Sequence, residues 1–497
     1  MANKPNIILI FPDQHRGDTM GCRGHPVVQT PNLDRLAAEG VLFEQCCTNS
    51  PLCMPARASL ISGKYVNEHG VWNNALEADR YGPSHVRNVR DAGYHTAVIG
   101  KTHLYRHQDA GHTNNHVAKL EDWGYLDTHE VTGPLASVVV DSPYTDYLAQ
   151  KRLINAHREY LRVYLRGVLR RYSHPWEEPP CLVPTEDHLD MYVARKSVEW
   201  IENYRGDKPF YLQVCFPGPH DPFDSPAEYR ARYNPDNIPT GIMEGPAPPI
   251  PPLVERMLEL SNLDHMTEGQ NRLMRSYYYA KVTLIDDGIG RLLKALAERG
   301  FWDNTWIIYT SDHGEMLGEH RLSHKSVFYQ GALSIPCIIR PPGGTKGWKS
   351  KALTDQLDIA ATILDIAGAR PLEASEGCSL LPKIEGGPNG PQAHQGKEVV
   401  FSEVHGFSMV RNGRYKMVVH SRTRQPVELY DLVNDPNELR NLVDEPSLEK
   451  VRRELLGGHL NRLLSHLDEA KLKVFEEARG GLASLFRHPH GEAALGL

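Results

Sequence analysis

Residues Pro51 to Lys64 read PLCMPARASLISGK, a pattern that places a thiol at the mouth of a helix. A proline such as Pro55 suits the first helical turn: its fixed φ matches the helix, and its missing N–H would lack a partner there anyway. Arg57 to Ile61 continue helically, and Gly63 supplies a left-handed stop. Cys53 therefore falls just before the first turn, where free main-chain N–H groups and the positive end of the helix dipole favour an anion. The commoner fate of a cysteine is a buried structural thiol. Against it stand the stiff Pro51–Pro55 turn and Arg57, a strong anion donor one turn along.

Four short apolar runs each deliver polar residues at their ends. Ile7 to Phe11 leads into Asp13, Gln14 and His15. His95 to Ile99 leads into Lys101 and His103, and Phe210 to Phe216 into His220 and Asp221. Thr305 to Thr310 leads into Asp312 and His313. Asp13, Gln14, Asp312 and His313 offer two carboxylates, an amide oxygen and an imidazole, a set that suits a hard divalent cation, Ca²⁺ first and Mn²⁺ second. Arg57 and Lys101 are candidate anion clamps. His103 and His220 suit proton transfer, because a free imidazole changes charge near neutral pH. Taken singly, each residue has a plainer reading: a turn, a solvated lysine, a histidine capping a strand. Four strand ends of one kind favour a shared site, because ligands of open α/β sheets bind outside the carboxyl ends of the strands.

The elements that position these residues alternate. Continuous apolar runs of five or six residues are the pattern of strands buried on both faces. Helical stretches separate them at Asn32–Glu39, Asp190–Tyr204 and Tyr278–Arg299. The expected fold is a doubly wound, mostly parallel α/β sheet flanked by helices. Residues 1–380 form the catalytic domain on this reading. Residues 104–187 interrupt the rhythm as a helix-rich insertion over the carboxyl edge of the sheet, with one basic, aromatic helix from about Thr145 to Tyr172. Pro235–Pro252 reads as loop. Asp355–Ala367 reads as a helix stopped at Gly368. Residues 381–497 form a smaller α+β subdomain, with short strands at Glu398–Ser402, Phe407–Arg411, Tyr415–His420 and Glu428–Asp431. Helix follows from Pro446 to Ala478, broken at Gly457-Gly458, and the tail from about Gly480 is a candidate for pairing in a homo-oligomer.

Composition narrows the function classes. The 497 residues suit one large or two linked domains. A net charge of −7, without a basic run, argues against nucleic-acid binding. No apolar stretch reaches the roughly 20 residues of a membrane span, and the start lacks a signal-peptide pattern. The eight cysteines show no disulfide spacing, so a cytoplasmic protein with reduced thiols is expected.

Cys-x-Pro-x-Arg followed by Ala-Ser-Leu-x-Ser-Gly-Lys resembles the signature of the formylglycine-dependent sulfatases of the alkaline-phosphatase superfamily. The resemblance implies that a formylglycine-generating enzyme oxidises Cys53 to an aldehyde whose hydrate is the nucleophile, and that the substrate is a sulfate ester. Asp13 stands at the family's first aspartate and Asp312-His313 at its later metal pair, while Gln14 departs from the commoner second aspartate. Gly-Lys-x-His-Leu at Lys101 and His103 resembles a family motif. Lys325, five residues after His320, matches the segment leading to Ile335-Pro336 and Arg340. The resemblance further implies that His220 protonates the leaving oxygen and His103 assists release of sulfate. Leu429-Tyr430-Asp431-Leu432 through Asn441-Leu442 resembles the family's C-terminal subdomain. Trp72 and Asn73 are candidates for lining the leaving-group pocket. A phosphonate monoester or phosphodiester hydrolase of the same superfamily shares the Asp-Gln and Asp-His pattern, but the Lys101–His103 pair favours the sulfatase. A non-catalytic anion-binding relative with unconverted Cys53 is the alternative from another class. A papain-like Cys–His enzyme leaves the two aspartate strand ends and Arg57 without a purpose.

Overall fold

The computed structural model describes residues 4–107, 111–170, 174–470 and 472–473. Eight strands make the central sheet: β1 (Asn6–Ile10), β2 (Val41–Cys47), β3 (His95–Gly100), β4 (Asp127–Glu130), β5 (Phe210–Cys215), β6 (Thr305–Thr310), β7 (Cys337–Arg340) and β8 (Trp348–Asp355). Their order across the sheet is β8-β2-β7-β6-β1-β5-β3-β4. All pairings are parallel except the two made by β7.

Period-two alternation assigns each strand residue to one face. Ile7, Leu9 and Phe11 pack with Val41, Phe43 and Val98 beneath the helices α2 (Cys53–Ser62) and α7 (Gln356–Ala367). Ile8 and Ile10 face the other way, against α1 (Pro31–Ala38), α5 (Leu189–Asn203) and α6 (Glu268–Glu298). Both faces are thus dry, as the unbroken apolar runs require, and each fully buried isoleucine stabilises the fold by about 2 kcal/mol. The doubly wound architecture is the expected one.

Several expectations need correction. The interrupting segment does not only lie over the sheet: Asp127–Glu130 joins it as the edge strand beside β3, and Trp123 and Tyr125 enter the core. Its helix is two, α3 (Pro143–Gln150) and α4 (Ile154–Arg170), because Arg152 takes a left-handed φ of 61° between them. Tyr172 and the tail from Gly480 lie outside the described residues. Within Pro235–Pro252 a short 3₁₀ turn forms at Pro235–Asn237, and Pro252 opens a further helix to Ser261. The helix expected at Tyr278 begins at Glu268, capped by Thr267. Gly457 and Gly458 do not break the last helical stretch but sit in a wider π-helical turn, Leu455–Leu460.

A second, antiparallel sheet of β9 (Val400–Val404), β10 (Phe407–Arg411), β11 (Tyr415–His420) and β12 (Pro426–Asp431) packs Phe401, Val410, Met417 and Leu429 against Leu357 of α7. Its edge reaches the segment that leads into Cys53: Asn49 Nδ2 donates to Phe401 O at 3.0 Å, and Glu403 N donates to Asn49 O at 2.9 Å.

Glu403 also carries a pH-dependent load. Burial pushes its carboxyl up to about 7 from an ordinary 4.5, although Ser408 Oγ and Asn67 N–H bond to it. The folded chain therefore holds a proton that the unfolded chain releases, and this stability, present below about pH 4.5, is lost as pH rises towards 7. Glu403→Gln keeps the shape, since an amide accepts from Asn67 and donates to Ser408. The variant is expected to unfold at the same temperature as the parent near pH 4.5 and at a higher one at pH 8. Identical pH profiles in thermal denaturation would refute the assignment.

Candidate active site

The carboxyl ends of β1, β3, β5 and β6 lie side by side, so the residues following them converge. Cys53 is the first residue of α2, so the helix begins one position earlier than the spacing suggests, with Leu52 as its cap. Its Sγ stands 3.7 Å from Asp13 Oδ1 and 3.1 Å from His313 Nε2. Asp13, Cys53, Asp312 and His313 each offer a ligand atom, all within 4.8 Å of one another and all buried.

Arg57 ties the two aspartates together. Its Nη2 meets Asp13 Oδ2 at 3.0 Å and its Nε meets Asp312 Oδ2 at 2.9 Å, while Nη1 donates to Lys101 O at 2.6 Å. Lys101 Nζ adds a second cation, 2.6 Å from Asp13 Oδ2. It can arrive there because Gly100, at φ 109°, ends β3 where any Cβ would meet Cys215 O. Burial alone would raise the Asp13 carboxyl. The Lys101 ammonium, with His220, Arg57 and His313, instead holds it well below the usual carboxylate range.

Lys325 comes in from the other side. Its ammonium donates to Gln14 Oε1 and lies 2.8 Å from His220 Nε2. Gln14 takes φ 70°, and its Nε2 donates to Glu315, so the amide oxygen is the end turned towards Lys325. His313 Nδ1 faces Gly314 O at 2.9 Å, which leaves Nε2 for the cluster, and burial lowers its basicity so that the ring is neutral. His103 is pushed down further, by burial and then by Lys101, His107 and Arg57. Its Nδ1 is buried with no hydrogen-bond partner among the described residues, and its ring stacks on His107 at 5.2 Å.

All ten site residues singled out in the sequence are thereby gathered at one sheet edge. Trp72 is fully buried and packs with Val66 and Leu472. Sequence reasoning also passed over the residues that hold the candidate ligands. Glu315 fixes the Gln14 amide. Thr48 Oγ1 and Gln356 Nε2 both donate to Asp312 O, at 2.5 and 2.9 Å. Glu315 sits three positions after Asp312 and was the one with a local signal; Thr48 and Gln356 come from remote segments.

The donors fit a hard divalent cation. Two carboxylates without solvent exposure and a neutral imidazole bring ligand atoms within 4.8 Å of one another, and the amide oxygen of Gln14, next to Asp13 in the chain, is bonded to Lys325. Three cations (Arg57, Lys101, Lys325) face three carboxylates (Asp13, Asp312, Glu315), so a divalent ion would leave the site net positive. That is the balance an anionic ester needs.

Comparison with known proteins assigns the class. Residues 5–369 match the family model described as Sulfatase, and residues 318–465 the one described as N-sulphoglucosamine sulphohydrolase, C-terminal. The chain belongs to the sulfatase family, within the alkaline-phosphatase superfamily, and is a sulfuric ester hydrolase. It is 32% identical to an arylsulfatase of Clostridium perfringens (strain 13 / Type A), across 98% of this chain and 99% of that one. It is 29% identical to the multifunctional alkaline phosphatase superfamily protein PehA of Trinickia caryophylli, across 94% and 96%. The solved phosphonate monoester hydrolase of Agrobacterium radiobacter superposes with a TM-score of 0.71 at 26% identity, covering 93% of this chain and 95% of that one. Among the described residues, no helix is long and apolar enough to cross a membrane.

Proposed function

We propose that the chain hydrolyses small-molecule sulfate esters of an alcohol or phenol, with formylglycine made from Cys53 as nucleophile and a divalent cation, Ca²⁺ before Mn²⁺, held by Asp13, Gln14, Asp312 and His313. One observation carries this reading: the Cys53 side chain lies within 4 Å of Asp13 and His313, and Arg57 spans both aspartates. A formylglycine-generating enzyme supplies the modification. The hydrated aldehyde provides one hydroxyl to attack sulfur and a second through which sulfate is expelled, and the cation provides fixed positive charge beside the sulfate oxygens.

The chain's own residues do the rest. Arg57, Lys101 and Lys325 offset the charge of the sulfuryl group, in a buried site where fixed charges act strongly. His220 delivers a proton from Nε2 to the departing oxygen. His103, kept neutral by its surroundings, accepts a proton at Nδ1 as sulfate leaves. The eight free cysteines support a reducing, cytoplasmic setting.

Turnover of 4-nitrophenyl sulfate against 4-nitrophenyl phenylphosphonate tests the reading. The sulfate is expected to have the higher kcat/KM by at least about tenfold. A large preference for the phosphonate would overturn it in favour of phosphonate monoester hydrolysis. His220→Ala is expected to reduce kcat on unactivated esters by about 10²-fold or more, and far less on nitrophenyl sulfate, because protonation matters most for a poor leaving group. Equal losses along a leaving-group series would remove His220 from the acid role.

A further inference from the structure

Asp221 follows His220 directly, yet its carboxylate takes no part in the chemistry above. The main chain of this loop is already secured from below. Lys281 Nζ donates to His220 O at 3.0 Å and to Pro222 O at 2.9 Å, and Asp190 Oδ1 accepts from Gly218 N at 2.7 Å. The main chain of the loop thus has anchors of its own, and the Asp221 carboxylate faces two imidazoles and a phenol. Its Oδ1 lies 3.1 Å from His220 Nδ1 and 3.2 Å from His324 Nδ1. Its Oδ2 accepts from Tyr164 OH at 2.9 Å, a bond that reaches in from α4.

We propose that Asp221 is the positioning residue of the proton donor, and that Tyr164 of α4 fixes Asp221 from behind while His324 fixes it from the side. This rests on the reading of His220 as the acid. With a carboxylate and the Asp221 carbonyl, at 2.8 Å, both facing Nδ1, that nitrogen carries hydrogen. The ring is then held with Nε2 beside Lys325 Nζ at 2.8 Å, and as the acid it is the imidazolium, with Nδ1–H facing Asp221 and the Nε2 proton passing to the leaving oxygen. A carboxylate behind the ring stabilises the imidazolium and fixes its angle, and losing it misdirects proton transfer without dismantling the site. The surroundings suit a permanent carboxylate. Burial opposes its charge, but His220, His324 and Lys325 hold it well below the usual range, and Glu178, the neighbouring acid, is itself pushed up by burial and by Asp221. Tyr164 gives the segment between β4 and β5 a direct hand in catalysis: it turns a helix 57 positions upstream into the backing of the acid.

The test compares Tyr164→Phe and Asp221→Asn with the parent on phenyl sulfate and 4-nitrophenyl sulfate, in the metal-loaded, modified enzyme. Each variant is expected to lose about tenfold or more in kcat on phenyl sulfate and less than about threefold on the nitrophenyl ester, with KM unchanged. In a His220→Ala background, Tyr164→Phe is expected to add nothing, since it acts through the ring that is gone. Parallel losses on both esters, no loss on either, or a full further loss in the double variant would each overturn the proposal. Should Asp221→Asn fail to fold, Tyr164→Phe decides alone. If His220→Ala itself shows equal losses on both esters, the acid assignment falls and the positioning role with it. If His220→Ala is selective and Tyr164→Phe is not, only the positioning role falls.

Discussion

Cys53→Ala is expected to lower sulfate-ester turnover by at least about 10⁴-fold while leaving the fold in place. The two halves of this expectation have different causes. The side chain is the only one at the start of α2 that meets both Asp13 and His313, so no neighbour can replace it as nucleophile. Its removal opens a cavity no larger than one sulfur, which costs about 1 kcal/mol. The helix start does not depend on it, because Leu52 O and Ser59 O anchor the two ends through Ala56 N and Gly63 N. A far-ultraviolet spectrum and melting temperature close to the parent, with turnover at background, is the predicted pair of results. Turnover near the parent's would refute the nucleophile assignment, and a collapsed fold would show that Cys53 is structural.

Asp13→Asn is expected to have the second-largest effect, through two independent routes. It removes one of two buried carboxylates offered to the cation, and the lost charge stabilisation amounts to several kcal/mol, about 10²- to 10³-fold in rate. It also strips the counter-charge from Lys101, at 2.6 Å, and from Arg57, at 3.0 Å. An uncompensated charge in the interior destabilises by about 3–5 kcal/mol. Metal content per chain, measured by plasma mass spectrometry after equilibration with Ca²⁺, should fall below that of the parent, together with the melting temperature. A variant that keeps its full complement of metal and its stability would remove Asp13 from the ligand set.

The strands that point at the site were legible because they are buried on both faces. Ile7–Phe11 and Thr305–Thr310 consist of apolar or β-branched residues throughout, and no helix period competes with that pattern. Asp127–Glu130 was not legible: its Asp-Thr-His-Glu sequence reads as loop, and it becomes a strand only because β3 offers an open edge. Val41–Cys47 hides its apolar ends behind Glu44 and Gln45 at its centre. The break between α3 and α4 had no proline or glycine to announce it, since Arg152 carries the left-handed turn. At the site, the candidate metal ligands stand just after strands and Cys53 at a helix start, positions where local sequence shows the chemistry. Tyr164 sits inside a helix and Gln356 opens one, and there a tyrosine or glutamine reads as packing or surface. What they hold depends on contacts that only the folded chain brings together.

The proposed chemistry depends on a single fact, the state of the side chain at position 53. Mass spectrometry of the peptide carrying that residue, from protein produced together with a formylglycine-generating enzyme, reads it directly. The predicted result is a peptide whose thiol sulfur has gone and whose new carbonyl forms a hydrazone, in proportion to sulfate-ester activity across preparations. Full activity from protein in which every copy retains an unmodified Cys53 thiol would contradict it.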